Sequence, residues 1–400
     1  MHSPLPPPAA TALTPRQAVG AFLLVTLGTV LGFAATDLVL PAIPSLPRTL
    51  GGTTEQAQHV LASFVGGFAA GLLLFGELGA RFSQKLLLCG ALGLMALASL
   101  AAGSADSMPA LIALRFVQGV AASAAAAFAP GLVRTVFSGP QALRAIGLQG
   151  SIESLIPALA PIAGAWLLQA FGWRASFLVL AVAAFAVGTA VAALPAAAFP
   201  ARRQRSGSYL DVLRNRGVLR FGLSQAFTLG GLLVIVLGAP AVMVTAWDGA
   251  LSDFIRMQVM GVASFIGAVQ LSSVLCRRWG EEKVILAGSL LSAASCCALV
   301  AYALAGGRSP ATVALLFVPV NLGLGLRGPP GFMAAIAAAK GDDSRAAALV
   351  ILAILLTTAL GTVAAAPWVA GGLLPLALVA ATISVASPAI LLTAARSSRP

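Results

Sequence analysis

Four ionisable side chains, Asp37, Arg115, Glu153 and Arg327, each interrupt a long apolar run. A charge in hydrocarbon is costly, so each must face a cavity, a partner or a task. Burial favours the neutral form of a carboxyl, and a nearby cation favours the charged form, so a guanidinium that approaches and withdraws can make a carboxyl release and take up a proton. That chemistry suits a proton-coupling site in which Asp37 and Glu153 carry the proton and Arg115 times its release. The plainer reading has Asp37 capping a helix end before Leu40-Pro41, with Arg115 as its structural ion-pair partner. Arg327 sits in Gly325-Leu326-Arg327-Gly328-Pro329-Pro330, an expected helix break where proline leaves carbonyls without partners. It either satisfies those carbonyls or meets a substrate.

The elements that hold these residues follow from composition. With 59% hydrophobic and 9% charged residues and a mean hydropathy of +0.97, the chain has too little polar surface to coat a water-soluble globule. A bilayer crossing needs about 20 apolar residues, and 400 residues accommodate twelve. The expected spans are Ala18–Leu40, Gln56–Leu78, Leu86–Ser104, Met108–Val133, Ala145–Gln169 and Ala175–Leu194. A second set covers Leu219–Val244, Met257–Leu275, Val284–Leu304, Pro310–Ala338, Ala346–Val369 and Leu373–Thr393. Long runs of this kind exclude a transmembrane barrel, whose strands alternate. The fold class is therefore an all-α membrane bundle.

A formal charge of +12 would raise the question of nucleic acid in a soluble protein. Here it is an orientation signal. Of the 24 Lys and Arg, Arg48, Arg174, Arg256 and Arg308 fall on one side and Arg115 and Arg327 inside spans, leaving 18 on the side that carries both termini. The positive-inside rule places the termini in the cytoplasm. The expected organisation is a disordered cytoplasmic tail (1–17), a six-helix half (18–195), a linker with an interfacial helix (196–218), a second half (219–395) and a short tail (396–400). In the linker, Leu210, Leu213 and Val218 recur at near-helical spacing among arginines, as in a helix lying on anionic headgroups. Two halves around a linker suit alternating access about a central site.

Pro157, Pro161 and Gly164 in the fifth span predict a bend and a close helix crossing, and Gly66, Gly67 and Gly71 in the second predict close packing. Enzyme chemistry is not expected: the two histidines, His2 and His59, assemble no triad or metal pair, and no P-loop is present. Cys89, Cys276, Cys296 and Cys297 have no metal spacing and read as packing residues. No cofactor or metal is implied.

Several stretches together resemble the major facilitator superfamily. They are Asp37-Leu38-Val39-Leu40-Pro41-Ala42-Ile43-Pro44, Ser63-Phe64 with Gly67-Phe68-Ala69, Gly76-x-Leu78-x-x-Arg81-Phe82, Leu114-Arg115-Phe116-Val117-Gln118-Gly119, and Ala160-Pro161 with Gly172-Trp173-Arg174. Within it they are most similar to the bicyclomycin and chloramphenicol resistance (Bcr/CflA) branch of twelve-span drug:proton antiporters. The resemblance implies a proton-coupled exporter of small amphipathic compounds in a bacterial inner membrane, acting as a monomer with protons and the lipid bilayer as its other partners. Asp37 then matches the first-helix acid, Arg115 the fourth-helix arginine tied to coupling, and Pro157 to Gly164 a degraded antiporter motif. Gln118 and Asn321 are expected in the substrate cavity, and Gly76, Glu77, Arg81, Lys85, Arg134, Pro157, Pro161 and Gly164 in gating.

The chain departs from the family's loop motif, with Ala80 in place of the acid, Ser83 in place of the second glycine and Gln84 in place of an arginine. After the fourth span it has Arg134-Thr135 where the family has Arg-Asp. Those acids latch the cytoplasmic side in the family, so the latch here is expected to be either weakened or rebuilt with Glu77, and in the second case replacing Glu77 with Gln is expected to favour the outward-open state. Two rival functions stay open: a carrier of the same fold for a sugar, amino acid or siderophore, and a transport-inactive sensor or scaffold.

Overall fold

A computed structural model describes residues 13–199 and 207–396. Residues 1–12 and 397–400 of the expected tails, and Arg202, Arg203 and Arg205 of the linker, lie outside the described residues. Twelve helices among the described residues are long and apolar enough to cross a membrane, and no strand accompanies them. The protein is a multi-pass membrane bundle, as its hydropathy requires. The spans are α1 (Pro15–Asp37), α2 (Thr54–Arg81), α3 (Gln84–Gly103), α4 (Met108–Val136), α5 in two pieces (Gly139–Glu153 and Ile156–Phe171) and α6 (Arg174–Ala193). The second set is α7 (Arg216–Pro240), α8 (Leu251–Trp279), α9 (Glu281–Leu304), α10 (Pro310–Ala338), α11 (Asp343–Ala365) and α12 (Leu373–Arg396). Because each half has six crossings, the start of α1, the end of α6, the start of α7 and the end of α12 share one face, here the linker face.

Some boundaries move for local reasons. α1 starts inside the stretch expected to be a tail, because Thr14 caps it: the Gln17 amide donates to Thr14 Oγ1 at 3.3 Å, the Thr14 amide to Gln17 Oε1 at 3.0 Å, and Pro15 supplies a fixed first turn. The described residues of the linker hold a 3-10 turn, Ala196–Ala198, and a short α-helix, Tyr209–Arg214. Asn215 ends it and starts α7, its Oδ1 accepting the Gly217 and Val218 amides at 2.9 and 3.2 Å. Val218 therefore belongs to α7, buried beside Ile336, while Leu210 and Leu213 stay exposed. The amphipathic run expected across Asn215 is two helices facing different ways.

Small residues set the closest crossings. A Cβ on Gly67 would overlap the Phe116 backbone, one on Gly71 the Val120 backbone, and one on Gly119 the Phe64 carbonyl, so α2 and α4 touch main chain to main chain. Gly66 faces open space and takes no part. The second half repeats the device where Gly325 of α10 meets the Phe265 carbonyl of α8. Between the halves, α11 packs on α2 and α4, and the first piece of α5 packs on α8 and α10. The named contacts lie toward the linker face: Gly79 against Ser344, Gly147 against Val269 and Pro329, and Gly150 against Phe265.

Candidate functional site

Arg115 lies about 10 Å along α4 from its start, by the helical rise of 1.5 Å per residue, and is completely buried. Its Nη1 donates to the Ala35 carbonyl at 3.0 Å and to Gln118 Oε1 at 3.2 Å, and its Nε to the Val60 carbonyl at 3.3 Å. The guanidinium stacks 4.3 Å from the centre of the Phe64 ring. Ala35 is in the last turn of α1, where carbonyls lack intrahelical partners and the helix dipole is negative. A helix end thus takes the place of an acid. Asp37, two residues on, makes no ion pair with Arg115 and no hydrogen bond among the described residues, which removes the structural pairing of the two as an explanation of either. Nη2 of Arg115 is likewise without a partner.

Glu153 owes its position to Pro157. Proline at 157 has no N–H for the Glu153 carbonyl and its ring crowds that carbonyl, so the first piece of α5 ends at Glu153. Gln149 Nε2 donates to Glu153 Oε1 at 2.9 Å and reaches Thr29 Oγ1 of α1 at 3.5 Å. After the break, Pro161 lies inside the second piece, and Gly164 lets that piece close on the backbone of Leu38. The bend and close crossing therefore seat α5 against the end of α1 that bears Asp37 and receives Arg115. Thr29 and Asp37 are eight residues apart, so about 12 Å of helix separates Glu153 from the other two groups. The fold brings Asp37 and Arg115 to one helix end without contact and keeps Glu153 apart, one turn from the cross-half contact at Gly150.

On the linker face, charges from both halves interlock. Glu77 of α2 takes Arg345 of α11 in a two-pronged pair, Oε2 to Nε at 2.7 Å and Oε1 to Nη2 at 3.1 Å. Arg345 is fully buried and also pairs with Asp342 at 2.7 Å, while Arg81 pairs with Glu77 from its own helix. Arg134 of α4 meets Asp343 at 2.8 Å, and Ser344 Oγ donates to the Gly76 carbonyl at 3.0 Å. Gly76 is glycine because a Cβ there would strike the Tyr209 hydroxyl and Ala348. Lys85 does not join: its Nζ donates to the Leu194 carbonyl at 2.6 Å, tying α3 to the end of α6 within one half. Glu77 thus joins α2 of one half to α11 of the other at the linker face. Asp342, Asp343, Ser344 and Arg345 carry no motif of their own. Their only signal in the sequence is an Asp-Asp-Ser-Arg run at the start of a span, where acids also complement the helix dipole.

The sequence pattern described as Major Facilitator Superfamily matches residues 25–348, most of the chain. This chain belongs to the major facilitator superfamily. It is 27% identical over 260 residues to a bicyclomycin resistance protein homolog of Haemophilus influenzae, covering 62% of this chain and 64% of that protein. It is 32% identical over 155 residues to a chloramphenicol resistance protein of Pseudomonas aeruginosa, covering 38% and 37%. Each match spans less than two thirds of the relative's length. The fold is similar to that of the major facilitator proton:xylose symporter XylE bound to 6-bromo-6-deoxy-D-glucose, with a TM-score of 0.77 at 14% identity over 94% of this chain and 96% of that one.

Three further polar residues of this facilitator lie within helix contacts. Gln118 is fully buried, its amide donating to Ser99 Oγ at 2.7 Å. Asn321 is buried too and donates to the Phe317 carbonyl of its own helix at 3.0 Å. Both groups of the Gln118 amide are thus engaged, since its Oε1 accepts from Arg115, while the bond from Asn321 uses its amide nitrogen. Arg327 sits at no break, since α10 runs unbroken through Pro329 and Pro330. The carbonyl that Pro330 leaves unpaired, Leu326, accepts Ser272 Oγ at 2.7 Å instead. Arg327 reaches α7, donating to the Ser224 carbonyl at 3.0 Å and Gln225 Oε1 at 2.8 Å. Of the cysteines, Cys276 and Cys296 are buried, Cys89 half-buried and Cys297 exposed.

Proposed function

We propose that this protein is a secondary transporter that exports small amphipathic compounds in exchange for protons by alternating access. The observation that carries the reading is the interlock of Glu77, Arg81 and Arg134 with Asp342, Asp343 and Arg345. It joins two halves through a handful of ion pairs that a modest free energy can break. A seal of that kind suits a face that opens and shuts. Asp37 and Glu153 are the proton carriers in this reading. Arg115 senses their state through the end of α1, because a shift of that helix end moves Asp37 and the Ala35 carbonyl together. Glu153 reports from beside the cross-half contact at Gly150, where opening of the linker face is felt first. Gly76, Pro157, Pro161 and Gly164 serve gating by allowing the contacts described above.

Export, as opposed to uptake of a sugar, amino acid or siderophore, is favoured by the names of the resistance-protein relatives. Substrates are small amphipathic molecules, and the setting is a bacterial inner membrane with both termini cytoplasmic, in line with the basic residues of the linker face. A monomer suffices, as both halves are in one chain. The test is transport in proteoliposomes, with and without an imposed pH gradient, across cationic, neutral and anionic compounds. Gradient-driven accumulation of some of them supports the reading. Accumulation independent of the pH gradient for every transported compound, or no transport at all, refutes it, and the last result favours a sensor or scaffold.

A further inference from the structure

The helix Tyr209–Arg214 is fastened to both halves. At its far end Asn215 Nδ2 donates to the Ala338 carbonyl at the end of α10, at 2.8 Å. At its near end the Tyr209 hydroxyl crosses to α2 and donates to the Leu73 carbonyl at 2.5 Å, filling the space that Gly76 leaves. Ser208 fixes the aim of Tyr209 by capping the helix: its amide donates to Asp211 Oδ2 at 2.8 Å, and the Asp211 amide donates back to Ser208 Oγ. Burial pushes the Tyr209 hydroxyl far above its ordinary range, and the Glu77 carboxylate adds to this, so it stays a donor throughout the physiological pH range. The clasp at Glu77 and Arg345 is one turn away along α2.

The other face of this helix has no partner among the described residues. Leu210 and Leu213 are 61% and 43% exposed, with Arg214 and Arg216 exposed beside them. The acid in this segment, Asp211, is held by Ser208. Tyr209 docks on a stretch of α2 where Leu73 and Leu74 are also exposed, about 12 Å from the end of α2. Two exposed leucines with arginines on the same segment are the complement of an anionic phospholipid: acyl chains for the leucines, phosphate for the guanidinium groups.

The geometry points to an anionic-phospholipid site on the linker helix Tyr209–Arg214 whose occupancy holds the linker face shut through Tyr209. Opening that face separates α2 from α11 and pulls the Leu73 carbonyl from the Tyr209 hydroxyl. A lipid that anchors the helix in its closed position therefore opposes opening. The shift cannot exceed the lipid's differential affinity for the two states. Each basic residue beside an anionic surface contributes about fivefold, so the two arginines set a limit of roughly 30-fold.

The test uses the full chain in nanodiscs of phosphatidylcholine alone, or with a third of it replaced by phosphatidylglycerol. The distance between spin labels on Phe82→Cys and Ala337→Cys, one on each half, reports closure, and the phosphatidylglycerol retained after transfer to detergent reports binding. The native linker is expected to retain phosphatidylglycerol and to shift toward the short distance when it is present. Arg214→Gln with Arg216→Gln loses both effects, and Tyr209→Phe retains the lipid but loses the shift. Both arginines are at the surface, and Tyr209→Phe keeps the ring, so folding is preserved in each. The proposal is overturned by a native protein equally closed in both lipids, by arginine variants that respond as the native protein does, or by a Tyr209→Phe variant that keeps the shift.

Discussion

Replacing Glu77 with Gln should release the linker face. The change keeps the shape and one acceptor but removes the charge opposite Arg345, which is 1% exposed on its side chain while Glu77 is 28% exposed. Removing one partner of a buried ion pair costs about 3–5 kcal/mol. Partial exposure of Glu77 and the remaining Arg345 contact with Asp342, 2.7 Å away, reduce this to about 2 kcal/mol. At about 1.4 kcal/mol per tenfold, the ratio of closed to open linker face falls roughly 30-fold. The assay is the distance distribution between spin labels at Phe82→Cys and Ala337→Cys, with the four native cysteines replaced. The long-distance population should grow in Glu77→Gln. An unchanged distribution would mean that Glu77 is a helix-end charge that holds nothing shut.

Other consequences are independent of that clasp. Arg134 and Asp343, with side chains 29% and 16% exposed, should show a coupling of about 1 kcal/mol in a double-mutant cycle of closure using Ala at each position. Gly119→Ala drives a methyl into the Phe64 carbonyl and should cost about 1–3 kcal/mol, seen as a lower Tm in detergent. Gly66→Ala, facing open space, should leave Tm unchanged, and equal effects of the two would refute the crossing geometry. A cysteine replacing Arg203 should be shielded from an impermeant thiol reagent added outside intact cells, and labelling there would reverse the orientation.

The twelve crossings are legible in the sequence because hydropathy over a span-length window depends on nothing distant. The bend in α5 is legible for the same reason, since Pro157 acts on a carbonyl four residues away. Partners across space are another matter. Arg115 reads as an ion-pair candidate for Asp37, yet it is served by the orphan carbonyl of Ala35, and no residue type announces a helix end as a ligand. Glu77 stands out as the acid left in a loop motif that has lost its own, but the chain does not reveal that Arg345 waits 268 residues on. Arg327 misleads because Gly-Pro-Pro predicts a break that Ser272, on another helix, repairs. The start of α1 was within reach, as Thr14, Pro15 and Gln17 spell a capping box.

Proton coupling through Asp37 and Glu153 is most directly tested by transport in proteoliposomes of Asp37→Asn, Glu153→Gln and the native protein, with an imposed pH difference as the driving force. The native protein should build a substrate gradient, while each variant should fail to build one and still exchange labelled substrate across a membrane without a pH difference, since the pathway remains when the proton carriers are gone. If both variants build the gradient as the native protein does, these carboxyl groups do not carry the protons.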